Sequence, residues 1–406
     1  MVTTAPLEPT AAAFHRFHTD TLPARLAAGN GPLAFTDVAG LGSLAISTPA
    51  GAYTYVPGGG TVDVVAGDEA ADTVIATDLE SWVGLASDLD TAPGLFYGGR
   101  ATAVRGKPLR FVRWETGLRA MFHGLPPFDP ATADLRDLDG SPLDGSRRFT
   151  LADIDRQPEA ARHFLTTAGY LVVRGVFTAD EVAGLLADTV VMHAEARPGD
   201  GRSWWGRNAS GEEVLCRVLD ANRFPRYRAL SDDPRIRGLV ALAPEDLQAR
   251  DLDALDSGTV LWKVPDVTEG LADLPWHRDC GMGGHARNCP TVIVTICLTE
   301  GTATAGELRA LPGSHRGGYP FIDGRDTKAP DGVPLTVTAG DVSLHYTDVM
   351  HASLPPTSTA GPHRVSALLA FVPPQAGHHR GDRHYNDVLL GQPDGQVEHL
   401  VDRLGG

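Results

Sequence analysis

The chain opens with short pieces in which apolar and polar residues alternate. Thr61-Val-Asp-Val-Val65 and Thr73-Val-Ile-Ala76, each bounded by Gly or Asp, read as strands. From Asp78 to Leu89 the period changes: Leu79, Trp82, Val83 and Ala86 recur at helical spacing behind an Asp78 cap, and Leu109 to Phe122 carries a second apolar stripe. Together these predict a small α+β domain over residues 1–128. The Asp-, Pro- and Gly-rich stretch 129–146 reads as a linker, and 147–406 as a second domain. There, Asp155 to Ala168 predicts a helix, Gly169 to Arg174 a buried strand, and Thr178-Ala-Asp-Glu181 a capping box that opens another helix. Gly199 to Gly211, rich in Gly, Arg and Trp, reads as a loop. Strand-length apolar runs then follow at short intervals: Thr259 to Val264, Thr291 to Leu298, Leu308 to Leu311, Leu335 to Val337, Val342 to Leu344 and Val365 to Val372. Strands so spaced predict a jelly-roll or cupin-type sandwich, a double-stranded β-helix with flanking helices, and an α+β class for the whole.

Composition narrows the functions available. A length of 406 residues exceeds what one core usually organises, in agreement with two domains. The net charge of -16, with no basic block, excludes a nucleic-acid partner. No apolar run is long enough for membrane insertion, and Met1 to Thr10 lacks the regions of a signal peptide, so a cytoplasmic protein is expected. Cys216, Cys280, Cys289 and Cys297 show no CxxC spacing and read as reduced thiols. Homodimerisation is left open.

Candidate chemistry gathers in the strand-rich half. In Leu274-Pro-Trp-His-Arg-Asp-Cys280, His277 and Asp279 sit two apart on an extended segment and share a face, so both can reach one metal ion. One such H-x-D is expected by chance in a chain with 15 histidines, and a further ligand is needed. Gly340-Asp341 opens a strand carrying His345, and His351 follows at its far end. His351 is the better third ligand, with His345 a core residue or one that supports the ligands. Two imidazoles and one carboxylate on one face of an octahedral ion suit Fe(II) and leave positions for other ligands. Downstream, Arg364 and Ser366 share a strand face; a guanidinium fork with a hydroxyl suits the distal carboxylate of a dicarboxylic keto acid that chelates the metal through its other end.

The ordered set resembles the phytanoyl-CoA dioxygenase family of Fe(II)/2-oxoglutarate oxygenases. Gly169-Tyr-Leu-Val-Val-Arg-Gly-Val176 is similar to the family's opening strand, Trp276-His-Arg-Asp279 to its metal motif and Leu311-Pro-Gly-Ser-His-Arg316 to its loop signature, with Gly340-Asp-Val342, His351 and Arg364 following in order. The resemblance implies Fe(II) on His277, Asp279 and His351, and 2-oxoglutarate on Arg364 and Ser366. It also places Lys263 at a polar position on the strand before the metal motif. The implied reaction splits 2-oxoglutarate into succinate and CO2 while O2 oxidises a C-H bond of a small molecule, with hydroxylation as the default. The presence of Asp279 argues against the halogenating branch of the family. Trp276, Met282, Trp204, Trp205 and Arg207 are candidate substrate contacts, the last three on an expected lid loop. Residues from about Phe14 to Phe128 resemble a sterol-carrier-protein-like domain, which implies either delivery of an apolar or acyl-carrying substrate or a packing role. Two other readings stand beside the oxygenase: a lipid carrier with a non-catalytic sandwich, and a cupin-type metalloenzyme that does not use 2-oxoglutarate.

Overall fold

The structure, a computed structural model, describes residues 7–270, 274–280, 289–322, 329–361, 363–374 and 400–404. Its N-terminal part begins with α1 (Ala11–Arg16), α2 (Leu22–Arg25) and α3 (Gly31–Val38), joined by π-helical turns. A five-stranded sheet follows, built from β1 (Leu44–Thr48), β2 (Gly51–Gly58), β3 (Thr61–Ala66), β4 (Thr73–Thr77) and β5 (Ala101–Arg105) in the order β3-β2-β1-β4-β5. Between β4 and β5 lie α4 (Leu79–Ala86), where Asp78 accepts from Ser81 N at 2.6 Å, and α5 (Ala92–Tyr97). The long α6 (Pro108–His123) closes the unit. Phe14, Phe17, Tyr55, Trp82, Trp114 and Phe122 fill its interior and are fully buried.

This core does not end at residue 128. Trp204, Leu219 and Leu400 belong to it, and Leu274 and Phe321 pack against it, so the first 128 residues lie directly on the segment that carries the H-x-D motif. The expected linker is also pinned: Leu143 N donates to Leu135 O at 2.9 Å, and Tyr170 Oη donates to Gly145 O at 2.8 Å. Its Asp and Gly residues make fixed turns rather than a loose tether.

His18, in the turn after α1, is bonded through Nδ1 to Phe14 O at 2.8 Å and through Nε2 to the Tyr55 hydroxyl at 2.9 Å. Burial lowers its pKa to about 4. The unfolded chain, with an ordinary imidazole, binds the extra proton first, so this stability is complete above pH about 6.5 and is lost as pH falls toward 4. A loss of about 3 kcal/mol is expected across that window. Urea unfolding at about pH 7 and about pH 4.5 checks it, and His18→Gln should remove this share of the difference.

Beyond the turns, β6 (Phe149–Thr150) leads into α7 (Leu151–Arg156) and α8 (Pro158–Ala168). The single helix expected from Asp155 is therefore two. Pro158 has no N–H to continue the first helix and starts the second instead. Gly169 ends α8 at φ 88°, and a Cβ there would stand 2.3 Å from Val349 Cγ2 and 2.5 Å from His315 Nδ1, so only glycine fits. Then come β7 (Tyr170–Arg174) and α9 (Ala179–Glu195), the latter opened by the Thr178/Glu181 capping box.

The segment expected as a loop forms β8 (Ser203–Asn208), which hairpins with β9 (Glu213–Val218). The two tryptophans favour a pleated surface, and Asn208 to Gly211 supplies the turn. After α10 (Pro225–Leu230) and α11 (Pro234–Val240) come β10 (Gln248–Ala249), β11 (Gly258–Trp262), β12 (Val267–Glu269) and β13 (Leu274–His277). The remaining strands are β14 (Val292–Cys297), β15 (Leu308–Ala310), β16 (Val333–Pro334), β17 (Val342–Tyr346), β18 (His351–Ser353) and β19 (Val365–Val372). The run 335–337 makes only an isolated bridge, Val337 to Gly301.

Ten of these strands form a mixed sheet, β12-β8-β9-β11-β19-β14-β17-β7-β6 with β10 on β19, while β13-β18-β15-β16 form a second sheet. Register divides the large sheet into two unlike faces. Val260, Val292, Val294, Ile296, Val342, Leu344, Ala367, Leu369 and Phe371 point one way, into an apolar core shared with α8, α9, α10 and α11. Thr295 and His345, together with Ser366, Arg364 and Lys263, take the opposite face. That polar face looks toward the small sheet, because His345 reaches Asp279. No helix among the described residues is long and apolar enough to cross a membrane.

Candidate metal centre

The antiparallel pairing of β13 with β18 sets His277 directly opposite His351. Their ring centroids are 4.3 Å apart. Asp279, just past the end of β13, completes the group: its Oδ1 is 3.3 Å from His277 Nε2 and 3.6 Å from His351 Nε2. Among the described residues this is the group of ligand-type side chains whose donor atoms all lie within 4.8 Å of one another. Donors about 2.1 Å from a shared octahedral ion and cis to each other stand about 3 Å apart, so small adjustments bring the three onto one ion.

The protonation pattern suits a metal. His277 Nδ1 donates to Pro275 O at 2.7 Å and His351 Nδ1 to Val349 O at 2.9 Å, so each ring turns its Nε2 lone pair toward Asp279. Burial, with His277 nearby, lowers the His351 pKa to about 3 and keeps the ring neutral. Burial pushes the Asp279 carboxyl up, and it is a proton on the facing rings of His351, His277 and His345 that would outweigh this and hold the group well below the ordinary value. His345 Nε2 lies 3.4 Å from Asp279 Oδ2, on the oxygen that does not face the other two rings. There it contacts the carboxylate.

Ser353 lies two residues beyond His351 on the same face of β18, about 7 Å along the strand. It joins the triad to the large sheet. Lys263 Nζ donates to Ser353 O at 2.7 Å, and Arg364 donates to Ser353 Oγ. Lys263 N also donates to Arg364 O at 2.8 Å, which sets the two cations side by side on neighbouring strands, only 3% and 5% exposed. One face-step further along β19, Ser366 Oγ is buried with no hydrogen-bond partner among the described residues. A buried hydroxyl beside two buried cations fits a carboxylate.

The remaining predicted residues fall elsewhere. Trp276 packs with Leu311, Ile322, Met350 and Ala352, on the side of β13 and β18 that faces away from the two imidazoles. It is a core residue, as strand alternation dictates. Trp204 and Trp205 are not on a lid loop: Trp204 is buried against the N-terminal core with Arg217 4.8 Å over its ring, and Trp205 packs beside Leu215 and Val218. Arg207 is held at the surface by Glu269 at 3.5 Å and Glu213 at 3.9 Å. Met282 lies outside the described residues. His315 bonds Thr166 O at 3.1 Å and stacks on Tyr346, a structural role. Cys280 is buried and donates to Thr347 Oγ1 at 2.7 Å. Ser353 was missed by pattern reading, although His351-Ala-Ser353 has the same two-residue spacing that marks His277 and Asp279.

A model of the phytanoyl-CoA dioxygenase (PhyH) family matches residues 165–365. The probable alpha-ketoglutarate-dependent hypophosphite dioxygenase of Stutzerimonas stutzeri is 25% identical over 251 residues, 56% of this chain and 83% of its own length. Among solved structures, the non-haem alpha ketoglutarate dependent carbocyclase SnoK from nogalamycin biosynthesis is 24% identical, with 54% of this chain and 88% of that one covered and a TM-score of 0.42. EctD from S. alaskensis, solved with 2-oxoglutarate and 5-hydroxyectoine, is 21% identical, with 61% and 82% covered and a TM-score of 0.42. Over residues 165–365 the chain belongs to the phytanoyl-CoA dioxygenase (PhyH) family of 2-oxoglutarate-dependent non-haem iron dioxygenases.

Proposed function

We propose that the chain uses Fe(II), 2-oxoglutarate and O2 to oxidise, most simply to hydroxylate, a C-H bond of a small apolar or secondary-metabolite substrate, releasing succinate and CO2. In this reading His277, Asp279 and His351 hold the iron. Arg364 and Ser366, with Lys263 beside them, bind the far carboxylate of 2-oxoglutarate, and the two facing sheets are a double-stranded β-helix over residues 147–406. The observation that carries it is the double use of β18: His351 turns to the triad, while Ser353, on the same face, is gripped by Lys263 and Arg364. A two-ended acid can then have one end at the metal and the other among the buried cations.

Bound Fe(II) supplies the activation of O2 that no side chain can perform. The chain's own residues position and protect. The Pro275 and Val349 carbonyls fix the imidazole tautomers, and His345 steadies Asp279. Arg364 neutralises the co-substrate's far carboxylate, to which Ser366 Oγ donates. The apolar core behind the sheet keeps these polar groups on one wall.

The N-terminal unit is read as a packing partner of the oxygenase. Its interior is filled by large aromatic side chains, which favours packing over carriage of an acyl chain. Purified chain given Fe(II) and 2-oxoglutarate should form succinate in air and not under argon, with the rate rising when a substrate is present. Succinate formation unaffected by metal removal, or turnover of a substrate indifferent to 2-oxoglutarate, would reject the proposal.

A further inference from the structure

Arg278 stands between two proposed ligands, His277 and Asp279, yet its own side chain leaves the triad and is only 6% exposed. One guanidinium nitrogen donates to Glu115 Oε1 at 2.7 Å and the other to Asp348 Oδ1 at 3.4 Å. Glu115 is on α6, in the N-terminal unit, and its second oxygen accepts from Ala92 N, the first residue of α5, at 2.9 Å. Asp348 lies in the turn just before His351, and its second oxygen accepts from Cys289 N at 2.8 Å. One turn after Glu115 on α6, Arg119 donates to Asp88 at 3.0 Å. Two guanidiniums thus meet three carboxylates in a buried row that begins in the N-terminal unit and ends between the strands bearing the proposed ligands.

The contact is reinforced around its edge. Phe128 N donates to Gly318 O at 2.6 Å and Gly318 N to Pro126 O at 3.0 Å. A Cβ at Gly318 would come within 2.8 Å of Thr116 Cγ2, on the residue after Glu115, so α6 lies tightly against this loop. Resting on the reading of His277, Asp279 and His351 as the metal centre, we propose that Glu115 is a positioning residue for that centre. Through Arg278 it fixes the end of β13, and through the same guanidinium it is joined to the Asp348 turn that delivers His351. The N-terminal unit thereby completes the scaffold of a site to which it contributes no ligand.

The chemistry of the fork makes this testable. A carboxylate can accept from Arg278 and Ala92 N at once, whereas an amide has one acceptor oxygen and must turn donors toward one of them. Lysine at 278 keeps the charge but offers a point rather than a fork, and cannot span Glu115 and Asp348 as a guanidinium does. Supporting partners of metal ligands are worth about 10–100-fold in metal affinity. Mn(II) binding to the full chain, followed by the loss of the free-ion EPR signal, is measured for wild type, Glu115→Gln, Arg278→Lys and Phe14→Leu. The last perturbs the N-terminal core away from Arg278 and controls for a general loss of stability. The expected result is a dissociation constant raised about 10-fold in both Glu115→Gln and Arg278→Lys, with Phe14→Leu within about twofold of wild type. Unchanged affinity in Glu115→Gln and Arg278→Lys, or equal weakening in Phe14→Leu, overturns the positioning role while leaving the metal centre intact. Absence of Mn(II) binding in wild type overturns both.

Discussion

His277→Ala and His351→Ala are each expected to retain less than about 1% of wild-type succinate formation, because removing a ligand costs more than the 10–100-fold lost with a supporting partner. The two rings face each other across one strand pair, so either truncation leaves a two-ligand site. His351 is 5% exposed, and its replacement also opens space in a packed region. Thermal unfolding without metal separates the two effects. In the absence of metal His277→Ala should melt close to wild type and His351→Ala below it, and both should lack the rise in Tm that Fe(II) or Mn(II) gives the wild-type chain. His345→Ala provides the graded comparison. It removes a contact to Asp279 but no proposed ligand, and should lower metal affinity only about 10-fold.

Arg364→Ala should raise the KM for 2-oxoglutarate about 100-fold, the factor that corresponds to roughly 3 kcal/mol for losing one partner of a buried charged pair. Arg364→Lys should fall between, since a single ammonium cannot reproduce the planar fork. Ser366→Ala carries a sharper signature. Its hydroxyl is buried without a partner among the described residues, so removing it should leave the stability of the free protein unchanged or slightly increased. The same substitution should still weaken 2-oxoglutarate binding about 10-fold, because the bound carboxylate would be left one donor short. Initial rates against 2-oxoglutarate, paired with urea unfolding, read both quantities. A Ser366→Ala protein that is destabilised and binds 2-oxoglutarate normally would assign the hydroxyl to the fold instead.

The parts of the site legible in the sequence are those whose geometry is local. His277 with Asp279, and Arg364 with Ser366, are each two apart in sequence; the two-residue period of a strand puts Arg364 and Ser366 on one face, while β13 ends at His277 and Asp279 lies in the turn just beyond it. The capping box at Thr178 and the cap at Asp78 are equally local and are formed as expected. His351 needed more, namely the antiparallel pairing that sets it opposite His277, which only the order of motifs suggested.

What escaped depends on partners far along the chain or on a mistaken weight for one residue type. Arg278 lies within the metal motif, but its meaning rests on Glu115, 163 residues away. No periodicity reports such a pair. Trp204 and Trp205 were assigned to a loop because glycines and arginines surround them, although paired aromatics favour a sheet; β8 buries Trp204 in the N-terminal core. The break between α7 and α8 was legible at Pro158, where a missing N–H was outweighed by the apolar stripe on either side.

Everything proposed for the site depends on one metal ion held by His277, Asp279 and His351. The most direct measurement is anomalous X-ray scattering at the iron edge from crystals of the full chain grown anaerobically with Fe(II). One dominant peak is expected within bonding distance of His277 Nε2, His351 Nε2 and an Asp279 oxygen. A peak at another set of side chains, such as Cys280 and Cys289, or full iron occupancy at that position in His277→Ala, would contradict it.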